Sequence, residues 1–325
     1  MTTPLYRQAF VHAWQLARRQ KFLWIFGLFA AFLGQLGIVE ILTKIGLATS
    51  DVSNYLVNIG FSAAPAVARE AGVAASTETR LLFFWLLATL LTLGIGLVFA
   101  AVVSQGALIH ATAQSVRGKR AVNISSAWHA SVGHFWRLLA LNVIKKGLII
   151  FLAVMVSAAA FTVLGDASIG NNLFFLLTFV VAGAVGLVLS FLVIYAAGYV
   201  VVEEYPLLPA IGAAWKLLVG HWLVSIEVGL LIILSNIILA LATLLGFAVF
   251  FFPAMLVWFV AIVTGSQALL AAGFVFAIIF FTAYLLWLGA MFTVFTTSVW
   301  TYLFMKMHKH GIPSRLVHWL SYKPA

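Results

Sequence analysis

A chain of 325 residues with eight acidic side chains offers few places for acid–base or metal chemistry. Those that stand beside long apolar runs are Glu40, Lys145, Lys146, Glu203, Glu204 and Glu227. A charge held in lipid costs at least about 2.5–3.5 kcal/mol, so each needs a reason. Glu40 precedes Lys44 by one helical turn, and an i,i+4 pair accounts for it. Lys145 and Lys146 follow Phe135 by about 15 Å of helix. The run from Gly147 to Gly165 nearly spans a bilayer alone, so both lysines are expected to reach back to headgroups with their charged ends. Glu203 and Glu204 close one apolar run and Glu227 opens the next, on the membrane face that also receives Arg137, Lys145 and Lys146. An interfacial charge network of Glu203, Glu204 and Glu227 with those bases is the expectation. In its sharper form, Arg137, Lys145 and Lys146 are candidate ligands for an anionic headgroup or solute.

The rest of the chemical inventory is thin. The chain has no cysteine, which excludes disulfides, thiolate nucleophiles, Cys-ligated zinc and palmitoylation. It contains no H-E-x-x-H, G-x-S-x-G, G-x4-G-K-[ST], G-x-G-x-x-G or S-x-x-K pattern. His308, His310 and His318 sit in a basic tail without a neighbouring carboxylate, which reads as a lipid-facing tail rather than a metal site. No enzymatic chemistry, metal or cofactor is therefore expected.

The elements that must carry these residues are membrane spans. Hydrophobic residues make up 64 % of the chain and charged ones only 8 %, against about 25 % in soluble domains. Segments free of Asp, Glu, Lys and Arg run from Phe22 to Val39, Leu81 to Val116, Gly147 to Gly165, Ala167 to Val202 and Val228 to Met305. A bilayer core of about 30 Å takes roughly 20 helical residues, so the last run must fold back. Its expected break is Gly265-Ser266-Gln267, with Pro253 as a kink or earlier boundary and residues 253–264 as a helix extension or outer-surface segment. An all-α polytopic membrane protein of one domain, 1–325, follows. Its six spans are placed at about 22–42, 81–112, 145–165, 172–202, 222–252 and 270–304.

Six spans put every Lys and Arg except Lys44, Arg69 and Arg80 on one side. The positive-inside rule then places both termini in the cytoplasm, in a cell membrane. The formal charge of +10 has this cause, and nucleic acid is not an expected partner. The sizeable outer loop is 43–80, the first span is expected to persist as a signal anchor, and 306–325 form a cytoplasmic tail.

A repeat organises the cytoplasmic side. Ile124-x-x-Ala127-Trp128-x4-Gly133-His134-Phe135 returns as Ile211-x-x-Ala214-Trp215-x4-Gly220-His221-Trp222, and Phe10-x-x-Ala13-Trp14 opens a shorter copy with Gln20 at the His position. Three degenerate units of amphipathic helix, span and span result, with the short helices at 4–20, 123–133 and 209–220 and starts at Thr3-Pro4 and Pro209. Trp14, Trp128, Trp215, His134 and His221 are expected as interfacial anchors. Small residues spaced by four at Gly96, Ala100 and Ser104, at Ala182, Gly186 and Ser190, and at Gly289, Thr293 and Thr297 predict that the even spans form the centre.

The basic amphipathic start into Lys21-Phe22-Leu23-Trp24-Ile25-Phe26-Gly27, followed by Ala-Trp-x4-Gly-His-Phe/Trp helices leading into spans, resembles a known membrane domain. That domain is fused to some glycerophosphodiester phosphodiesterases and also occurs alone in multi-pass prokaryotic proteins. The resemblance covers nearly the whole chain and implies a six-helix membrane bundle in a bacterial or archaeal cell membrane, with no activity attached to stand-alone members. It carries no catalytic residue across. The phosphodiesterase domain is absent, and eight scattered acids could not supply its metal site.

The functional expectation is a non-enzymatic membrane protein that interacts with anionic lipids on the cytoplasmic side or scaffolds a membrane partner, a second copy of itself included. The alternative is a transporter or channel for a small or lipidic solute, anionic solutes included. Asn142, Asn236, Gln105 and Thr178 are thin provision for the midplane polar pathway that transport requires.

Overall fold

A computed structural model describes residues 5–31, 77–118, 124–166 and 168–310. Among these the chain is almost wholly helical, in the order α1 (Leu5–Arg19), α2 (Leu23–Ala31), α3 (Thr77–Val116), α4 (Ile124–Gly133), α5 (Phe135–Gly165), α6 (Ile169–Val202), α7 (Leu207–Gly220), α8 (Trp222–Thr264) and α9 (Gln267–His310). Lipid offers a backbone no hydrogen-bond partner, and a helix satisfies its own. Five helices, α3, α5, α6, α8 and α9, are long and apolar enough to cross a membrane. Their apolar stretches of 31 to 43 residues reach about 45–65 Å at 1.5 Å per residue, well beyond a 30 Å hydrocarbon core.

Several element boundaries differ from the sequence reading, each for a local reason. Of the expected span at 22–42 only α2 is described, and the rest of it lies outside the described residues with most of loop 43–80. Helix α5 begins at Phe135, so the expected span at 145–165 is the later part of a helix that nothing between Phe135 and Lys145 breaks. Helix α8 runs unbroken through Pro253 to Thr264, so residues 253–264 extend it. Proline is tolerated inside a long apolar helix where neighbouring groups and local adjustments re-satisfy the backbone it frees. The stop comes at Gly265, whose φ of 66° is the left-handed conformation that glycine adopts without Cβ strain. Ser266 N–H returns to Ala261 O at 3.0 Å and Gly265 N–H to Ile262 O at 3.3 Å, the paired bonds of a Schellman cap. Pro206, not Pro209, caps α7, and Pro209 sits in the first turn, where its missing N–H had no partner to lose.

The chain divides into two compact units. One holds residues 33–100 and 136–194. In it α5 buries a stripe of Leu138, Leu141, Asn142, Lys145, Ile149, Leu152, Val156 and Ala159, at helical spacing. Leu152 and Val156 meet Ala182 of α6, flanked by Phe175 and Phe179. Asn171 ties the connection, donating to Asp166 O at 2.8 Å and Thr162 O at 3.3 Å.

The other unit holds residues 1–32, 101–135 and 195–325. Its core joins Leu16 and Ala17 of α1, Leu23, Phe26 and Ala30 of α2, Ala107, Leu108 and Ala111 of α3, Ala127 of α4 and Val294 of α9. Helices α8 and α9 form an antiparallel hairpin about Gly265, since Gly246 faces Tyr284 and Val257 faces Gly273, each pair equidistant from it. The C-terminal parts of α3, α6 and α9 supply many of the buried residues, among them Val102, Val103, Tyr195, Val200, Val299 and Leu303. Thr112 and Ser298 hydroxyls bond at 3.1 Å between α3 and α9.

The small-residue stripes do not mark all the close approaches. A Cβ added at Gly96 or Gly289 would meet nothing within 4 Å. One added at Gly27 would strike the Ala290 carbonyl of α9, and one at Gly198 would lie 3.0 Å from the Phe304 ring. The tight contacts fall at glycines outside the four-residue spacing, because what decides an approach is the neighbour's side chain and not spacing alone.

Candidate functional site at the helix junctions

Each short helix ends in a tight turn before an apolar one. Helix α4 stops at Gly133 and α5 starts at Phe135; α7 stops at Gly220 and α8 starts at Trp222. The histidine left between them bonds back into the short helix. His134 Nδ1 lies 2.7 Å from Ala130 O and His221 Nδ1 3.2 Å from Leu217 O, the carbonyl four residues earlier in both cases. Both backbone N–H groups also return, to Ser131 O and to Leu217 O at 3.0 Å. At His134 the ring and the backbone N–H reach two different helix-end carbonyls, Ala130 O and Ser131 O, whereas at His221 both return to Leu217 O. At the first junction Gln20 N–H reaches Leu16 O at 3.0 Å, and the capping contact comes from the following helix, where Trp24 Nε1–H donates to Ala17 O at 2.7 Å.

In all three short helices the alanine of the Ala-Trp pair is the inward residue. Ala13, Ala127 and Ala214 are fully buried, and Ala17, Ser131 and Leu218 one turn later are buried too. The tryptophans differ. Trp14 and Trp215 are half exposed, the former under the Arg18 guanidinium at 6.0 Å. Trp128 is half-buried and stacks on Phe26 with ring centroids 6.2 Å apart. Of the three tryptophans, Trp14 and Trp215 turn outward and Trp128 inward.

The candidate charges fall in both units, and each set is described within its own. In the first, Arg137 is half-buried on α5, Lys145 is buried at 7 % exposure and Lys146 is exposed. Adjacent residues stand about 100° apart on a helix, so the two lysines turn to opposite environments. The expectation that both reach outward is corrected for Lys145. In the second unit, Glu227 is half-buried on α8 and Glu204 closes α6 with a left-handed φ of 58°. Glu203 Oε1 lies 4.0 Å from His308 Nε2 on α9, while His308 Nδ1 is 3.3 Å from the Tyr199 hydroxyl. His308 also stacks parallel on Phe304. An acid, an imidazole and a phenol therefore meet where α6 and α9 end. Of this trio the sequence reading singled out Glu203 alone for the site, since the helix pairing that unites them is tertiary. No group of three or more His, Asp or Glu side chains that could hold a metal converges among the described residues.

An open cleft of about 520 Å³ lies beside the first junction, in the second unit. Its walls are His12, Gln15, Leu16 and Arg19 of α1, Gln20 of the junction, and Ser115 and Gly118 where α3 ends. His12 Nε2 is 3.3 Å from Ser115 Oγ, and the ring packs against Tyr302 at 5.3 Å. Burial holds the His12 pKa below its ordinary 6.5, so the imidazole is neutral at pH 7. Gln20 Oε1 is buried with no hydrogen-bond partner among the described residues. Of the cleft's polar residues the repeat touches Gln20, at the His position, and Gln15, beside Trp14. The signal available was polar spacing along α1, with His12, Gln15 and Arg19 three and four apart.

Compared with known proteins, the chain matches no family model, no curated protein and no solved structure.

Proposed function

We propose that this is a non-enzymatic multi-pass protein of the cell membrane, whose cytoplasmic rim binds anionic lipid headgroups and organises lipids or a membrane partner. One observation carries the reading: three short helices turn an alanine face inward, join apolar helices through tight turns, and bring Trp14, Trp215 and the basic residues Arg18, Arg19 and Lys216 to exposed positions. That is the arrangement of a helix lying in the headgroup layer, with apolar body and basic rim. The similar His134 and His221 bonds support the sequence repeat as a structural one, and hence three helix-span-span units, six spans and both termini in the cytoplasm. A stand-alone membrane domain of the kind fused to phosphodiesterases remains the family proposal.

Transport is the weaker reading. The buried hydroxyls of Thr293 and Thr301 donate to the carbonyls four residues before them, so α9 satisfies these polar groups inside its own helix rather than along a path. The test is reconstitution of the full chain into vesicles of phosphatidylcholine alone or with phosphatidylglycerol, using brominated lipids. Trp fluorescence should be quenched by bromines placed near the headgroup, and stability should rise with the anionic lipid. Quenching from mid-chain bromines only, with no dependence on lipid charge, would defeat the proposal.

A further inference from the structure

We infer that the cleft between α1 and the end of α3 is a binding site for a phosphate group, held by Arg19, Gln15 and the His12–Ser115 pair. The inference rests on the lipid-binding reading above and gives it a site. Electrostatics point to an anion. No Asp or Glu occurs between Met1 and Val39 or between Leu81 and Gly165, the two segments that build the cleft. Helices α1 and α3 both end here, and two helix C-termini carry together about one negative charge. Arg18, Arg19, Lys21 and Arg117 stand at those ends and overcompensate it.

Hydrogen bonding narrows the ligand. Arg19 at the wall supplies a planar fork of donors suited to phosphate oxygens. Gln15 adds amide donors, and neutral His12 with Ser115 adds one more, since that pair can turn a hydroxyl hydrogen or ring N–H outward. Gln20 Oε1 is an acceptor with nothing to accept from among the described residues. That atom is closed to a water-sized group, so the ligand is held by Arg19, Gln15 and the His12–Ser115 pair at the cleft wall. Lipid is at hand, because Val11 and Trp14 of the same helix are each 47 % exposed. The shared chemistry is thus a phosphate, whether from a glycerol headgroup or from free inorganic phosphate.

The test is thermal unfolding of the full chain in detergent, titrated with dioctanoyl phosphatidylglycerol, dioctanoyl phosphatidylcholine and inorganic phosphate at constant ionic strength. The glycerol lipid should stabilise the protein and the choline lipid should not. Arg19→Gln and Gln15→Glu, both at exposed positions, should raise the half-saturating concentration about tenfold, the usual size of one lost charge-assisted bond. Gln15→Lys should lower it, while Arg18→Gln, at the Trp14 ring and outside the cleft, should change it less than about twofold. An Arg19-dependent shift with inorganic phosphate would assign the site to soluble phosphate, and its absence to the headgroup. If Arg18→Gln and Arg19→Gln weakened the lipid effect alike and Gln15→Glu left it intact, the rim would bind lipid without the cleft and this inference would fall alone. If no titrant stabilised the protein, cleft and lipid reading would fall together.

Discussion

Gly27 on α2 is where the helix packing can be broken with the least chemistry. A methyl group placed there would run into the carbonyl oxygen of Ala290 on α9, and would lie 2.8 Å from Val294 Cγ2 and 3.1 Å from the Ala290 carbonyl carbon. Ordinary carbon contacts begin near 3.5 Å, and the nearest obstacle is backbone, which cannot rotate away. Helix α2 would have to back off α9 by several tenths of an ångström, loosening a contact that includes Leu23, Phe26 and Val294. Overpacking of this kind costs about 1–3 kcal/mol. Replacing glycine by alanine inside a helix returns about 0.8–1 kcal/mol of propensity. The clash exceeds that return, and Gly27→Ala should lose about 1–2 kcal/mol net. Gly289→Ala supplies the contrast, since its added methyl meets nothing within 4 Å, and it should be neutral or slightly stabilising. Both variants of the full chain would be unfolded by heat in matched detergent or nanodiscs, with helicity read by circular dichroism. Gly27→Ala at or above the wild-type midpoint would refute the close approach of α2 to α9. A loss at Gly289→Ala equal to that at Gly27→Ala would refute the distinction between the two glycines.

Glu204, at a φ of 58°, should become more stable by up to about 1 kcal/mol on replacement by glycine and less stable on replacement by valine, in the same thermal assay. Tyr284→Phe removes the hydroxyl that donates to Ala242 O at 2.8 Å across the α8–α9 hairpin, and should cost about 0.6–1.7 kcal/mol. His12 has a depressed folded pKa, so the unfolded chain takes up its proton first as pH falls. Its contribution to stability is complete above about pH 6.5 and is lost as pH drops through the folded value, a loss that His12→Gln should abolish in midpoints measured from pH 8 to 5. Because the chain has no cysteine, Lys216→Cys and Ser266→Cys make clean probes. An impermeant maleimide should label them from opposite sides of sealed vesicles, and labelling from one side would contradict a membrane-crossing α8.

What the sequence made legible was whatever apolar periodicity and backbone chemistry encode locally. The break at Gly265 was readable because glycine followed by serine ends a helix by its own conformational preferences. Pro253 left two courses open for residues 253–264, and the helix extension is the one found, for proline's cost depends on neighbours that sequence does not name. The helix from Phe135 through Lys145 and Lys146 was legible because nothing there breaks a helix, and the two lysines marked only a span boundary within it. Glycine spacing proposed approaches at Gly96 and Gly289, yet Gly27 and Gly198 are the crowded ones, because crowding is a property of two helices at once.

The same division explains the site. The Ala-Trp repeat drew notice through its tryptophans, since large rings carry the pattern to the eye. The physical constant in all three copies is instead the alanine: at Ala13, Ala127 and Ala214 any larger side chain would push the short helix off the core. The tryptophan beside it is free to turn, and it does so differently in each copy, outward at Trp14 and Trp215 and against Phe26 at Trp128. Once the alanine face fixes the helix, its polar flank is fixed too. In the first copy that flank carries His12, Gln15 and Arg19 to the end of α3, where Ser115 and Gly118 complete the cleft. In the second and third copies the position of Gln20 is held by His134 and His221, whose rings fold back onto their own helices. The copy that lacks the histidine leaves a buried acceptor, Gln20 Oε1, with no partner among the described residues. If the cleft binds as proposed, it does so at the junction that carries Gln20 in place of a folded-back histidine, and Gln20→His should close that cleft by restoring the cap. Loss of phosphatidylglycerol stabilisation in Gln20→His, with the unliganded midpoint kept, is the expected result; undiminished stabilisation would break the link between junction and site.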